Sequence, residues 1–191
     1  MNCYFTLEET PSAQVPKAPE TFNNILKDFD NIVEIGTCRG IFSIWLYNNK
    51  KPDAKFTTYE IDPNWIQIPE KYKSLIDIKI MDCFSPECTE DIKSKIQAKG
   101  RSLLLCDGGH KNQEFNLYAQ YLKPQDVIML HDYTHNEQDH TEFNTIKSQY
   151  NWPHVPESSY DQIANTVKEE NLEPYMYEEF KNVLWGSFIK K

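Results

Sequence analysis

The sequence predicts an α/β fold, an open and mostly parallel sheet with helices on both faces. Three observations predict it. Residues 31–45 run from a β-branched apolar stretch (Ile32, Val33, Ile35) through Gly36 and Gly40 into an apolar segment with no helix breaker. That is the strand, turn and helix that cradle a ligand at the carboxyl end of a parallel strand. Short apolar runs then alternate with helix-period segments, as βαβ units require. Two of these runs, 102–106 and 127–130, end in the polar clusters Asp107-Gly108-Gly109-His110 and His131-Asp132-Tyr133, and in such sheets the strand ends carry the chemistry.

Taken in order, residues 1–18 hold Pro11, Pro16 and several polar turn formers, so an irregular lead-in draped over the surface is expected. Residues 20–29 place Phe22, Ile25, Leu26 and Phe29 at helical spacing. After the strand, glycine turn and helix of 31–47, the run Asn48-Asn49-Lys50-Lys51-Pro52 is a stop signal, and 55–62 reads as a second strand ending in Glu60 and Asp62. Residues 63–75 suggest a helix or helical turn, and 76–81 alternate as a third strand ending at Asp82. The charged segment 87–99 carries Ile92 and Ile96 and reads as a solvated helix closed by Gly100. The continuous apolar run 102–106 suits a central parallel strand. Residues 113–122 form an apolar-striped helix that leads to the fifth strand at 127–130.

Beyond it, 134–157 is polar and aromatic, with His135, His140, Phe143, Tyr150, Trp152 and His154, and is expected to cover substrate as a lid. A helix over 159–170, capped by Ser158 or Ser159, and a closing hairpin of 175–180 with 183–189 complete the chain.

Composition narrows the function. At 191 residues the chain fits one domain, 1–191, with a core that needs no staples. A formal net charge of -9 and a pI of about 5.0 argue against a sequence-independent grip on nucleic acid. No apolar run is long enough to span a bilayer, and the first ten residues lack the basic-then-apolar plan of a signal peptide. A cytoplasmic protein without a membrane partner is the expectation. The five cysteines (Cys3, Cys38, Cys83, Cys88, Cys106) are odd in number and contain no Cys-x-x-Cys pair, which favours reduced thiols.

The first turn does not meet the dinucleotide fingerprint Gly-x-Gly-x-x-Gly. It reads Glu34-x-Gly36-x-x-x-Gly40, which resembles motif I of the class I S-adenosylmethionine-dependent methyltransferases and implies their Rossmann-like fold, a seven-stranded sheet with an antiparallel last strand. An acid beside the loop suits a cofactor that carries a sulfonium and an ammonium rather than phosphate. The resemblance implies cofactor contacts from Glu34, Gly36, Thr37, Gly40 and Ser43, from Glu60 at the ribose, from Asp82 and Phe84 at the adenine, and from Asp107.

The two strand ends sharpen it. Asp107-Gly-Gly-His110, a helix, Leu-Lys-Pro, an apolar strand and His131-Asp132 together resemble the metal-dependent sugar and macrolide O-methyltransferases and the related CmcI-like cephalosporin-biosynthesis group. More distantly they resemble catechol O-methyltransferase. The likeness runs over about 31–133. It implies Asp107, His131 and Asp132 as ligands of Mg²⁺ or Mn²⁺, and His110, with Asp107, as catalytic residues, His110 as general base. His131 stands where several relatives have a carboxylate or amide; oxygen-only sites suit Mg²⁺, whereas an imidazole favours Mn²⁺, Fe²⁺ or Zn²⁺. The implied acceptor is a hydroxyl of a small molecule or sugar, with a vicinal diol or catechol preferred because a divalent cation grips two adjacent oxygens. Two other readings stand beside this one: a metal-dependent hydrolase or oxygenase built on Asp107, His110, His131 and Asp132, and a cofactor-binding module without catalysis.

Overall fold

In the computed structural model, which describes residues 6–7, 10–12, 14–150 and 157–191, three short strands form the buried centre. They are β1 (Asn31–Ile35), β4 (Ser102–Cys106) and β5 (Val127–His131), and every residue in them is buried. β2 (Lys55–Glu60) and β3 (Asp77–Ile80) extend the sheet on one side, and β6 (Leu172–Pro174) and β7 (Trp185–Lys190) extend it on the other. The order across the sheet is β6-β7-β5-β4-β1-β2-β3. β1 to β5 run parallel, while β7, last in sequence, lies antiparallel between β5 and β6. This is the mostly parallel seven-stranded sheet that the sequence predicts.

Side chains alternate between the faces with the strand period of two. Ile32, Leu103, Leu105, Val127 and Met129 point to one core, and Val33, Leu104, Ile128 and Leu130 to the other. The first core is covered by α1 (Ala18–Asn23), α2 (Ile41–Asn49), α6 (Glu137–Tyr150) and α8 (Tyr177–Lys181). The second is covered by α4 (Pro86–Ile96), α5 (Lys111–Tyr118) and α7 (Tyr160–Glu169), while α3 (Glu70–Lys73), a single turn, packs Tyr72 against the first. α2 is buried on nearly all sides from Ile41 to Leu46, so it shows no amphipathic stripe. α4 does show one, with Cys88, Ile92 and Ile96 inward, Pro86 in its first turn and the Ser85 hydroxyl accepting from Cys88 N–H.

Several boundaries differ from the sequence reading, each for a local reason. The helix expected over 20–29 breaks at Asn23 and Asn24 into α1 and a 3₁₀ turn, Leu26–Asp28. Residues 63–75 are no single helix, because Pro69 precedes α3 and leaves only the 3₁₀ turn Pro63–Trp65 before it. The hairpin arm expected at 175–180 is helix α8, and the edge strand is β6 instead. The backbone turns there through Met176, whose φ of +47° ends any extended run. Among the described residues of the lead-in, Gln14 and Val15 are buried rather than draped outside, and Thr6–Leu7 pairs antiparallel with Thr10–Pro11. The stretch expected as a lid is largely α6, with Phe143 in the first core, while Trp152 and His154 lie outside the described residues.

Phe22 ties α1 to this core by edge-to-face contacts with Phe42, Phe180 and Trp185 at centroid distances of 5.2, 5.2 and 5.4 Å. Phe22→Ala should therefore cost about 3–5 kcal/mol of unfolding free energy, read from urea denaturation; a loss under about 1 kcal/mol would show that α1 is not part of the cooperative core.

Candidate active site

Register sets the site. Ile35 pairs with Cys106 and Cys106 with Leu130, so Gly36, Asp107 and His131 emerge side by side at the carboxyl edge. A Cβ at Gly36 would stand 2.3 Å from the Asp107 carbonyl oxygen, and its φ of +95° disfavours any side chain. Above this edge lies a cavity of 790 Å³, in the range of small-molecule sites. Its lining brings together Gly36, Thr37 and Gly40 of the first loop, Glu60, Asp82, Phe84, Asp107 and His110. Four acids (Glu60, Asp82, Asp107, Glu114) line it against a single arginine, Arg39.

Glu60 ends β2 with its carboxylate fixed by backbone. Oε2 accepts from Cys38 N–H at 2.7 Å, and Oε1 accepts from Ile61 and Asp62 N–H at 3.0 and 3.2 Å. Of roughly four acceptor positions on a carboxylate, about one is left for a ligand donor. Cys38 reaches it through a left-handed backbone, φ +50°, unusual for a non-glycine residue. Asp62 lies outside the cavity lining and accepts from Asn64 N–H in the following turn. Asp82 Oδ1 accepts from Phe84 N–H, which aims the half-exposed Phe84 ring toward His110, 6.1 Å away.

Glu34 and Ser43 lie behind the cavity wall. Glu34 is 1 % exposed, and its Oε2 accepts from the hydroxyls of Ser43 at 2.5 Å and Thr58 at 2.7 Å. Thr58 in turn meets Thr37, so the carboxyl braces the loop from below. Burial outweighs these bonds and pushes its pKa up to about 8.

Sequence reasoning missed five residues here. Glu114, four residues after His110, accepts from the backbone N–H groups of Gly108 and His110 and so clamps the loop that carries the candidate base. Burial raises it to about 7. Trp65 and Ile61 line the cavity while remaining 56 % and 66 % exposed. Gln14 donates from Nε2 to Asp107 Oδ2 at 2.9 Å, and its own Oε1 accepts from Trp185 Nε1–H at 2.9 Å. The buried Lys111 ammonium reaches Glu157 Oε2 at 2.5 Å and Asp132 Oδ2 at 3.5 Å.

The residues expected to hold a metal are adjacent but differently engaged. His131 Nδ1 meets Asp107 Oδ1 at 2.8 Å and Asp132 Oδ2 at 3.7 Å, and its ring lies over Trp185. Burial would lower the His131 pKa, but Asp107 and Asp132 bring it above its ordinary value. Burial likewise works against the Lys111 charge, and Asp107, Asp132 and Glu157 more than restore it. His131 Nε2 and Asp132 Oδ1 are buried without a hydrogen-bond partner among the described residues. Both Asp107 oxygens are already taken by donors, and an ammonium faces Asp132. These residues do not fit a divalent cation, and no group of three His, Cys, Asp or Glu that could hold one occurs among the described residues. The residues expected to hold Mg²⁺ or Mn²⁺, Asp107, His131 and Asp132, thus meet at one strand edge with most of their polar atoms engaged by protein partners, and the hydrolase or oxygenase alternative draws on the same residues.

Folding favours the protonated forms of Glu34 and Glu114, so their contribution is complete below the ordinary glutamate value of 4.5 and is lost as pH rises through about 7 and about 8. Glu34→Gln keeps an acceptor oxygen for both hydroxyls. Between about pH 5.5 and about pH 8.5 the wild type should lose on the order of 1–3 kcal/mol more stability than this variant in urea denaturation. Parallel pH profiles would show that Glu34 is ionised in the folded chain.

The sequence matches no protein-family model and no curated protein. Solved structures do match. CmcI is similar at 14 % identity and TM-score 0.69 over 97 % of this chain and 75 % of its own. CmcI with Mg and S-adenosylmethionine gives 13 % and 0.68 over the same shares. The O-methyltransferase TomG from Streptomyces achromogenes, involved in tomaymycin synthesis and solved with S-adenosylmethionine, gives 12 % and 0.54 over 94 % of this chain and 82 % of its own. What this likeness establishes is architecture: the chain has the Rossmann-like fold of these O-methyltransferases.

Proposed function

We propose that the chain, working as one domain, is an S-adenosylmethionine-dependent O-methyltransferase that acts on a hydroxyl of a small molecule or sugar. The observation that carries this is the single cavity joining the Gly36–Gly40 loop, Glu60, Asp82, Phe84 and His110. Its acid-rich lining favours a ligand with positive centres over a pyrophosphate. Glu60, held by three amides, suits a diol donor, and Phe84 offers an apolar face for a flat ring.

The cofactor supplies a methyl carbon on a positive sulfur, so transfer to oxygen leaves the electron pair of the broken C–S bond on sulfur. Two tasks remain for the chain: aligning the acceptor oxygen and taking its proton. His110 is placed for the second, exposed at the head of α5 and lining the cavity while Glu114 holds its backbone. Asp107, held by His131 and Gln14, sets a fixed carboxyl group at the cavity floor that suits positive ligand groups.

Calorimetric titration of chelator-treated protein with S-adenosylmethionine tests the reading. Saturable binding is expected, weakened at least ~10-fold by Glu60→Ala through loss of a charge-assisted hydrogen bond. His110→Gln should retain that binding while lowering kcat on a screened hydroxyl acceptor by on the order of 10²–10⁴. Wild-type protein that binds no S-adenosylmethionine overturns the proposal.

A further inference from the structure

The polar cluster below the cavity floor is tied together by side-chain bonds that leave His131 Nε2 and Asp132 Oδ1 without a partner among the described residues. Asp107 is held at both oxygens, by His131 Nδ1 and by the Gln14 amide, and the Trp185 indole fixes which end of that amide donates. Asp132 follows it on the neighbouring strand in a left-handed backbone, φ +52°, with its carbonyl oxygen accepting from Glu157 and Ser158 N–H. Into the space between Asp132 and Glu157 comes Lys111, the first residue of α5, only 6 % exposed. A lysine so covered is stable only where carboxylates compensate the loss of water. It does not line the cavity and so touches no substrate.

A divalent cation of the oxygen-binding kind needs several oxygen lone pairs converging at about 2.0–2.6 Å, and it cannot share a carboxylate pocket with a fixed ammonium, because the two repel. We infer that the Lys111 ammonium is a built-in cation of this site, standing among the strand-end carboxylates in the place of a divalent metal, so that the chain uses no such metal and gains a metal site only when that ammonium is removed. Lys111 is then a positioning residue: it fixes Asp132, and through the shared cluster the Asp107–His131 pair, without exchanging with solvent ions. The inference concerns this pocket and stands apart from the methyl-transfer reading. If S-adenosylmethionine fails to bind, that reading falls and this one is untouched.

The test uses the full chain, stripped with chelator and titrated with Mn²⁺ while the resonance of the free ion is followed, with near-ultraviolet circular dichroism as the check of folding. Wild type and Lys111→Arg should leave Mn²⁺ free. Lys111→Met should take up an equivalent of Mn²⁺ at least ~10-fold more tightly than wild type, and adding Asp132→Asn should abolish it. A wild-type Mn²⁺ site that disappears in Asp132→Asn overturns the inference, and so does a folded Lys111→Met that binds no better than wild type. Should Lys111→Met not fold, the wild-type titration decides by itself: a tight site lost in Asp132→Asn overturns the inference, and free Mn²⁺ in wild type and Lys111→Arg supports it.

Discussion

Burial of β1, β4 and β5 on both faces is the constraint from which the rest follows. Strands covered on both sides must be apolar nearly throughout, so polar function is pushed to the residues just past their carboxyl ends. The parallel register then aligns those residues: Ile35, Cys106 and Leu130 are level, which makes Gly36, Asp107 and His131 neighbours although 95 positions separate the first from the last. Close approach of the loop to the Asp107 carbonyl leaves room only for hydrogen at position 36. The glycine that reads as a ligand contact is thus first a packing requirement between two strand ends.

Four carboxylates sit at this edge with little water, and the fold treats them in three ways. Glu34 is surrounded by hydroxyls and has its pKa raised to about 8, so at neutral pH the proton itself removes the charge. Glu60 accepts three backbone N–H groups, which take the place of water around its carboxylate. Asp107 and Asp132 are compensated by neighbouring side chains: Gln14 and His131 for the first, His131 and Lys111 for the second. Of these four, Glu60 and Asp107 line the cavity. The asymmetry gives the floor a polarity that is fixed before any ligand arrives.

The same physics decides what was legible in the sequence. The five parallel strands could be read because each is a short apolar or alternating run whose neighbours punctuate it. Glu34 reads in sequence as an acid beside the loop, and strand parity places it on the side of Ile32, toward α2, where Ser43 and Thr58 donate to it behind the cavity wall. Gln14 carried no signal, since its partners Asp107 and Trp185 are 93 and 171 positions away. Lys111 was hidden for a different reason. A lysine at the start of a helix ordinarily points to water, and only the close approach of the segment before α7, which brings Glu157, turns this one inward. The 175–180 segment deceived through its aromatic residues, which suit a strand as well as a packed helix such as α8.

The cavity is polar and rigid below, apolar and open above. Ile61, Trp65 and Phe84 are among the most exposed large apolar residues described, and all three border this one space. Singly exposed apolar side chains need no explanation, but three converging on one cavity form the apolar surface on which a ligand's flat or greasy parts rest. Charge and shape are therefore handled by different parts of the fold. The floor is tied to the sheet through register, amide bonds and the Lys111 pocket, so a charged centre meets dipoles that need not move. The rim hangs from the loops after β2 and β3, which carry Ile61, Trp65 and Phe84 at the cavity's open side.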